Sequence, residues 1–344
     1  MLTRGSSSRA DVYSSTVAAV LFFFAVMLPS ARAQDAASPP DPAPAPEVTA
    51  TTGAPEPSGD AEVIPRAAGV DEVKIVIFSP GLAVDDEDAA RFVVDPYVEY
   101  MNKERARKHS YEVFFKQAPL EEYLKSTTPH FGVFDTLYFL EHYKDLGLDV
   151  MFQAEDEDGS SVQRFSFFTY GDSKIASIKD IVGQKVSVPG FTHRSLGYLW
   201  SVLFDETPEA GLVAFDQIDF AVESLPEDAL NAMIATKAVA GVSTEVNLAV
   251  LREMFPEHSE KMKVFYQTRQ VPSYAVLAAF RKTCTPDLIV EYRGELGRMH
   301  KVPPGQFTLV VLGAHHLAPV ASIEELLDRI GRPEWAVRAV ARQQ

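Results

Sequence analysis

From Asp71 onward the chain is a series of short apolar runs, broken by Gly, Pro, Asp and Thr and alternating with stretches of helical period. Val73 to Phe78 reads as a strand ending in the turn Ser79-Pro80-Gly81. A helix from Asp85 to Glu104 follows, with acidic residues in its first turn. "YEVFF" (111–115) and "HFGVF" (130–134) read as strands, and a short helix at 119–126 lies between them. Asp135-Thr136 can cap the helix "LYFLEHYKDLG". "LDVMFQ" and "QRFSFFTY" are strands. The aromatic runs Phe131, Phe134, Phe165, Phe167 and Phe168 read as core. A second series repeats the alternation. "IASIKDIVGQKVSVPG" is helix, turn and strand, and a helix at 192–205 follows. Then come "IDFAVES", a helix at 226–235, "AVAGVS" and a helix at 244–254. After "KVFYQTRQVPSYAVLAAF" the pattern is helical at 285–300, and "QFTLVVLG" and two short helices close the chain. Repeated strand–helix alternation predicts α/β lobes with mostly parallel sheets. Two extended crossings, near 162–170 and 264–280, predict two lobes joined by a hinge. Lobe 1 is expected at 71–164 plus 268–344, and lobe 2 at 165–267.

The first 70 residues have a different pattern. Arg4 and Arg9 precede an unbroken apolar run from Val17 to Leu28, and Ala31-Arg32-Ala33 is a small-x-small cleavage signal. Residues 1–33 therefore read as a secretory signal peptide, the run being short for a membrane span. The alternative is retention as an N-terminal anchor. Cleavage before Gln34 removes three arginines and one aspartate and leaves −18 where the whole chain carries −16. Residues 34–70, rich in Pro, Ala, Glu and Thr, read as a disordered linker.

Length and composition fit a two-lobed globular protein. The acidic balance argues against a nucleic-acid partner, which needs a basic face. It leaves room for a small anion in a locally positive pocket. Cys284 is the only cysteine, so no intramolecular disulfide, cysteine zinc cluster or lipidated cysteine is expected. His315-His316 lacks a third ligand at helical spacing, so no metal site and no cofactor are expected. No G-x-S-x-G, G-x-x-x-x-G-K-[ST], H-E-x-x-H or G-x-G-x-x-G motif occurs, and no catalytic residue is assigned. An exported chain of this kind is expected to be a soluble periplasmic monomer.

One stretch poses a chemical question. In "VSVPGFTHRSLGYLW" (186–200) Pro189 and Gly190 end a strand, Thr192 can cap a helix, and His193, Arg194 and Ser195 form its first turn. A helix N-terminus carries partial positive charge and free N–H donors, so a cation there is unfavourable without a negative partner. Helix donors, a guanidinium and a hydroxyl suit a tetrahedral oxyanion.

The order of segments over residues 72–305 resembles the phosphonate/phosphate-type periplasmic substrate-binding proteins of ABC importers. "KIVIFSPGLAVDDEDAARFVVDPYVEYMNKE" resembles that family's first strand, Ser-Pro turn and helix, and "FGVFDTLYFLEH" its third strand and cleft-facing helix. "SKIASIKDIVGQKVSVPG" is the most specific match, and "RQVPSY" resembles the return crossing. The resemblance implies a type II periplasmic-binding-protein fold that closes on a small anion and docks on an ABC permease. It implies ligand contacts at Thr136 and Tyr138. Where the family has Ser-Thr-Ser-Gly at the second-lobe helix, this chain has Arg194-Ser195-Leu196-Gly197. Sulfonate- and thiamine-precursor-type binders share the fold and keep the ligand open. The strand ends add Ser79 and Glu223 as candidates. A plain turn explains Ser79 equally well, and Glu223 suits a ligand amine. A ligand-sensing subunit of a membrane receptor and an enzyme on the same scaffold are the alternatives to transport.

Overall fold

The computed structural model describes residues 67–82, 86–105, 107–156, 158–204, 213–272, 275–311 and 314–343. The expected signal peptide and the linker up to residue 66 lie outside the described residues. Thirteen strands are present among those described: β1 (Glu72–Phe78), β2 (Lys108–Phe114), β3 (Phe131–Asp135), β4 (Leu148–Glu155), β5 (Val162–Gln163), β6 (Phe165–Tyr170), β7 (Lys185–Pro189), β8 (Asp219–Glu223), β9 (Ala240–Thr244), β10 (Met262–Gln267), β11 (Val271–Pro272), β12 (Ala275–Phe280) and β13 (His316–Pro319). The helices are α1 (Glu87–Arg105), α2 (Gln117–Ser126), α3 (Thr136–His142), α4 (Gly190–Phe204), α5 (Pro226–Ile234), α6 (Glu245–Met254), α7 (Pro256–Ser259), α8 (Pro286–Leu296), α9 (Pro303–Val311), α10 (Ile323–Arg329) and α11 (Glu334–Arg342).

The strands form two mixed sheets, ordered β13-β4-β12-β3-β1-β2 and β10-β6-β9-β7-β8. In the first, β1 to β4 run one way, and β12 and β13 run against them. In the second only β6 is reversed. The reversal has a simple cause. A chain that leaves one sheet at a strand's C-terminal end enters the facing sheet from that same edge, so β6 and β12, the strands reached by crossing, run backward. The two crossings also pair with each other, β5 antiparallel to β11, as a separate two-stranded ribbon. Thr268 pins its base: its hydroxyl accepts from the Phe165 N–H at 3.0 Å and donates to the Arg269 carbonyl at 2.9 Å.

Local chemistry sets the element ends. Asp180 closes the short turn before β7 by accepting from the Ser177 N–H at 2.9 Å. Gly183 supplies the positive φ of 66° at which the chain turns into that strand. Thr244 and Thr285 cap α6 and α8 by accepting from the N–H three residues on. In the second sheet Leu196, Leu199 and Leu203 of α4 pack over Val186, Val188 and Val242. Leu230, Met233, Leu248 and Leu251 of α5 and α6 cover Phe168 on the opposite side. In the first sheet Trp335 and Val340 of α11 share a core with Phe78 and Phe134. The α11 end is fixed by Gln343, whose amide donates to the Leu140 carbonyl of α3 at 2.7 Å and accepts from the Lys144 N–H at 2.9 Å.

The stretch expected as linker to residue 70 is seated on lobe 1 by Ala67. Its N–H donates to Glu291 at 2.7 Å, and its carbonyl accepts from Arg107 at 2.7 Å. Arg107 and Glu291 themselves pair at 3.1 Å with both side chains wholly buried. Residues 67–70, Ala-Ala-Gly-Val, end the Pro/Ala-rich stretch expected as linker, but a buried ion pair in need of further hydrogen bonds takes the Ala67 backbone as its partner. Removing one member of such a pair strands the other charge. Glu291→Gln is expected to cost about 3–5 kcal/mol in urea unfolding, while Arg107→Met with Glu291→Leu recovers most of the loss. A single variant within about 1 kcal/mol of wild type on that scale contradicts this account.

Candidate functional site

The C-terminal ends of the strands meet where the two sheets face each other, the edge at which open α/β sheets take ligands. Three turns define this region: Ser79–Leu82 after β1, Asp135–Tyr138 after β3, and the start of α4 after β7.

The α4 helix begins at Gly190, two residues before the Thr192 start expected from sequence, and touches lobe 1 through Arg194 and Ser195 of its second turn. Arg194 donates from Nε to the Pro80 carbonyl at 3.3 Å and from Nη2 to the Leu82 carbonyl at 2.9 Å. Its guanidinium lies 5.4 Å from the centre of the Phe115 ring. Ser195 sits so close to Gly81 that a Cβ on that glycine would meet Ser195 Cβ at 3.2 Å and Oγ at 3.3 Å. Gly81 is therefore the residue that lets the two lobes approach. One helical turn beyond Arg194, Tyr198 places its ring edge-on to Phe78, with centroids 5.7 Å apart. Phe78 in turn packs against Tyr138 at 4.9 Å. The apolar core thus runs without a break from one lobe into the other.

The two helix starts differ electrically. At α3, Asp135 caps its own helix: Oδ1 accepts from the Leu137 N–H at 2.9 Å and from the Tyr138 N–H at 3.4 Å. Burial pushes this carboxyl up to about 6, the two N–H bonds pull it back, and Glu141 adds to the rise. At α4 the first turn holds no acidic residue. Thr192 there is buried at 1% exposure, and its hydroxyl has no partner among the described residues.

The predicted residues take distinct places. Ser79 forms the β1 turn, its N–H donating to the Phe114 carbonyl and its carbonyl accepting from Leu82. Thr136 is buried at the first position of α3. Tyr138 is almost wholly buried, stacked on Phe134 and close to His142. Burial, then Glu121, pushes its phenol up to about 12. Ser195 faces Gly81, and Glu223 ends β8 beside Pro189, next to the start of α4. His193 turns away from lobe 1 into the second lobe's aromatic cluster, 5.2 Å from Phe215 and 5.4 Å from Phe220. Burial and then the Arg194 charge lower its pKa. Arg194 spends its donors on lobe 1 carbonyls, and this supplies the negative partner that the sequence required.

Sequence reasoning missed Phe78, Gly81, Phe115 and Tyr198. Only Tyr198 left a signal, four residues from Arg194 and so on the same helix face. Burial, then the Asp135 and Glu141 charges and Tyr138, drives its phenol well above the usual range.

Comparisons with known proteins agree with this architecture. Residues 71–322 match the family model described as "ABC transporter, phosphonate, periplasmic substrate-binding protein". Among solved structures, a binding protein component of an ABC phosphonate transporter (PA3383) from Pseudomonas aeruginosa superposes with a TM-score of 0.53 at 12% identity. It covers 80% of this chain and 90% of its own. XAC2383 from Xanthomonas citri, solved bound to ATP, gives 0.50 at 15% identity over 79% and 98%. At these identities the structures share the fold. No curated protein matches the chain. With the family model spanning most of its length, the chain belongs to the phosphonate-type periplasmic substrate-binding proteins of ABC transporters.

Proposed function

We propose that this chain captures a small oxyanion of the phosphonate or phosphate type between its lobes in the periplasm and presents it to an ABC permease. The observation that carries the reading is the contrast between the two helix starts. The α4 turn meets lobe 1 with its first turn free of acids, whereas the α3 donors are already taken by Asp135. The oxyanion group accordingly belongs at α4, on the backbone donors and the Thr192 and Ser195 hydroxyls. Ser79, Thr136 and Tyr138 form the lobe 1 side and Glu223 the rim; His193 supports the turn through its aromatic packing.

Residues 71–164 with 268–344, and 165–267, are the two moving bodies in this reading, and the β5–β11 ribbon is the hinge. The signal peptide ends at Ala33, and the linker carries the monomeric binding domain. Binding requires no base or nucleophile, and none is assigned. Arg194 acts on closure: it ties α4 to the Ser79–Leu82 turn, and a ligand that favours the closed form gains from that tie.

Two measurements test this. Calorimetry of the chain from Gln34 with methylphosphonate, phosphate and methanesulfonate is expected to give saturable binding of at least one. Ser195→Ala should weaken it roughly two- to tenfold, the worth of one neutral hydrogen bond. No binding of any of the three contradicts the reading. Arg194→Ala is expected to raise the radius of gyration of the ligand-free protein in small-angle scattering and to weaken binding about tenfold or more. An unchanged radius and unchanged affinity contradict the closure role.

A further inference from the structure

We propose that Asp135 is a specificity-determining residue that makes the lobe 1 half of the cleft reject a second anionic group. The inference rests on the reading that an oxyanion sits at α4 and adds a rule about the rest of the ligand.

Asp135 ends β3 in the cleft and joins the strand to α3. Its Oδ1 occupies the Leu137 and Tyr138 N–H groups, the donors that a ligand's own anion would need on this side. The protein has thus placed a carboxylate of its own where the helix invites a negative charge. The charged groups that act on Asp135 do not neutralise it. Glu141 is the charged side chain that affects it and has the same sign. Glu141 itself faces outward to Arg342 at 4.0 Å, on the exposed side of α3. The remaining walls are rings: Phe78, Tyr138 and, from the other lobe, Tyr198. A low-dielectric aromatic wall strengthens the field of the carboxylate across the gap.

The cleft is polarised as a result. Its α4 end attracts negative charge, and its α3 end repels it. A ligand with one oxyanion head and an uncharged or cationic remainder fits both ends. A ligand with anions at both ends meets Asp135 as a like charge, and because burial already raises this carboxyl to about 6, so that protonation limits the repulsion, the penalty at neutral pH reaches about tenfold in affinity.

The test compares methylphosphonate with phosphonoacetate, which adds a carboxylate, by calorimetry on wild type, Asp135→Asn and Asp135→Ser. Asn and Ser both keep an N-cap acceptor, so the α3 start is preserved, and a melting curve confirms folding. Wild type is expected to favour methylphosphonate by about tenfold, and both variants should shrink that ratio by about tenfold. Wild type binding both probes equally, or a ratio unchanged in the variants, overturns the inference and leaves the oxyanion reading standing. Wild type binding neither probe overturns the inference, and the oxyanion reading falls as well only where phosphate and methanesulfonate also fail to bind.

Discussion

The contact between the second turn of α4 and the Ser79–Leu82 turn governs the geometry of the cleft. Arg194, in the second turn of α4, is held across the cleft because two carbonyls of the other lobe, at Pro80 and Leu82, accept its N–H groups, and the Phe115 ring lies against it. Gly81 lets Ser195 come within van der Waals range. The same helix face then sets Tyr198 on Phe78. All of these contacts but Arg194–Phe115 join residues more than a hundred positions apart, so the lobes register against each other through a few side chains of a single helical face.

The topology explains why that face lies at the cleft. Strands β1, β3 and β7 all deliver their C-terminal ends to the space between the sheets, and the chain crosses that space twice. The ribbon of β5 and β11 holds the crossings side by side, a narrow connection beside two well-packed sheets. Lobe 1 is further held at its N-terminal edge, where the buried Arg107–Glu291 pair binds the backbone of Ala67. Ala67 is thus tied to the fold five residues before β1 begins at Glu72.

Much of this was legible in the sequence, for reasons that are local. Strand runs such as Val73–Phe78 and the Asp135 cap follow from periodicity and from the hydrogen bonds a side chain makes to its own backbone. The cation near the start of α4 was legible too, but the helix begins at Gly190, two residues earlier than Thr192, and this moves Arg194 out of the first turn. What holds this cation was not legible. Pro80 and Leu82 accept from Arg194 through backbone carbonyls, which any residue type offers, so no side-chain pattern announces them. His193 read as a ligand contact because it stands beside Arg194, yet helical geometry turns neighbours about 100° apart, and its ring joins Phe215 and Phe220. Asp135 read as a cap and no more. Its second consequence, a carboxylate at the edge where the lobes meet, depends on a fold that brings lobe 2 onto lobe 1.

The central claim is that the two helix starts are electrically unequal and that the oxyanion belongs to α4 alone. A crystal structure of the chain with methylphosphonate, phased to place the phosphorus by its anomalous signal, addresses this most directly. The account predicts phosphonate oxygens within about 3 Å of the α4 first-turn N–H groups and the Ser195 hydroxyl, a normal hydrogen-bond distance. It also predicts that Asp135 still caps α3. Phosphonate oxygens on the Leu137 and Tyr138 N–H groups, with the Asp135 carboxylate displaced, would contradict it.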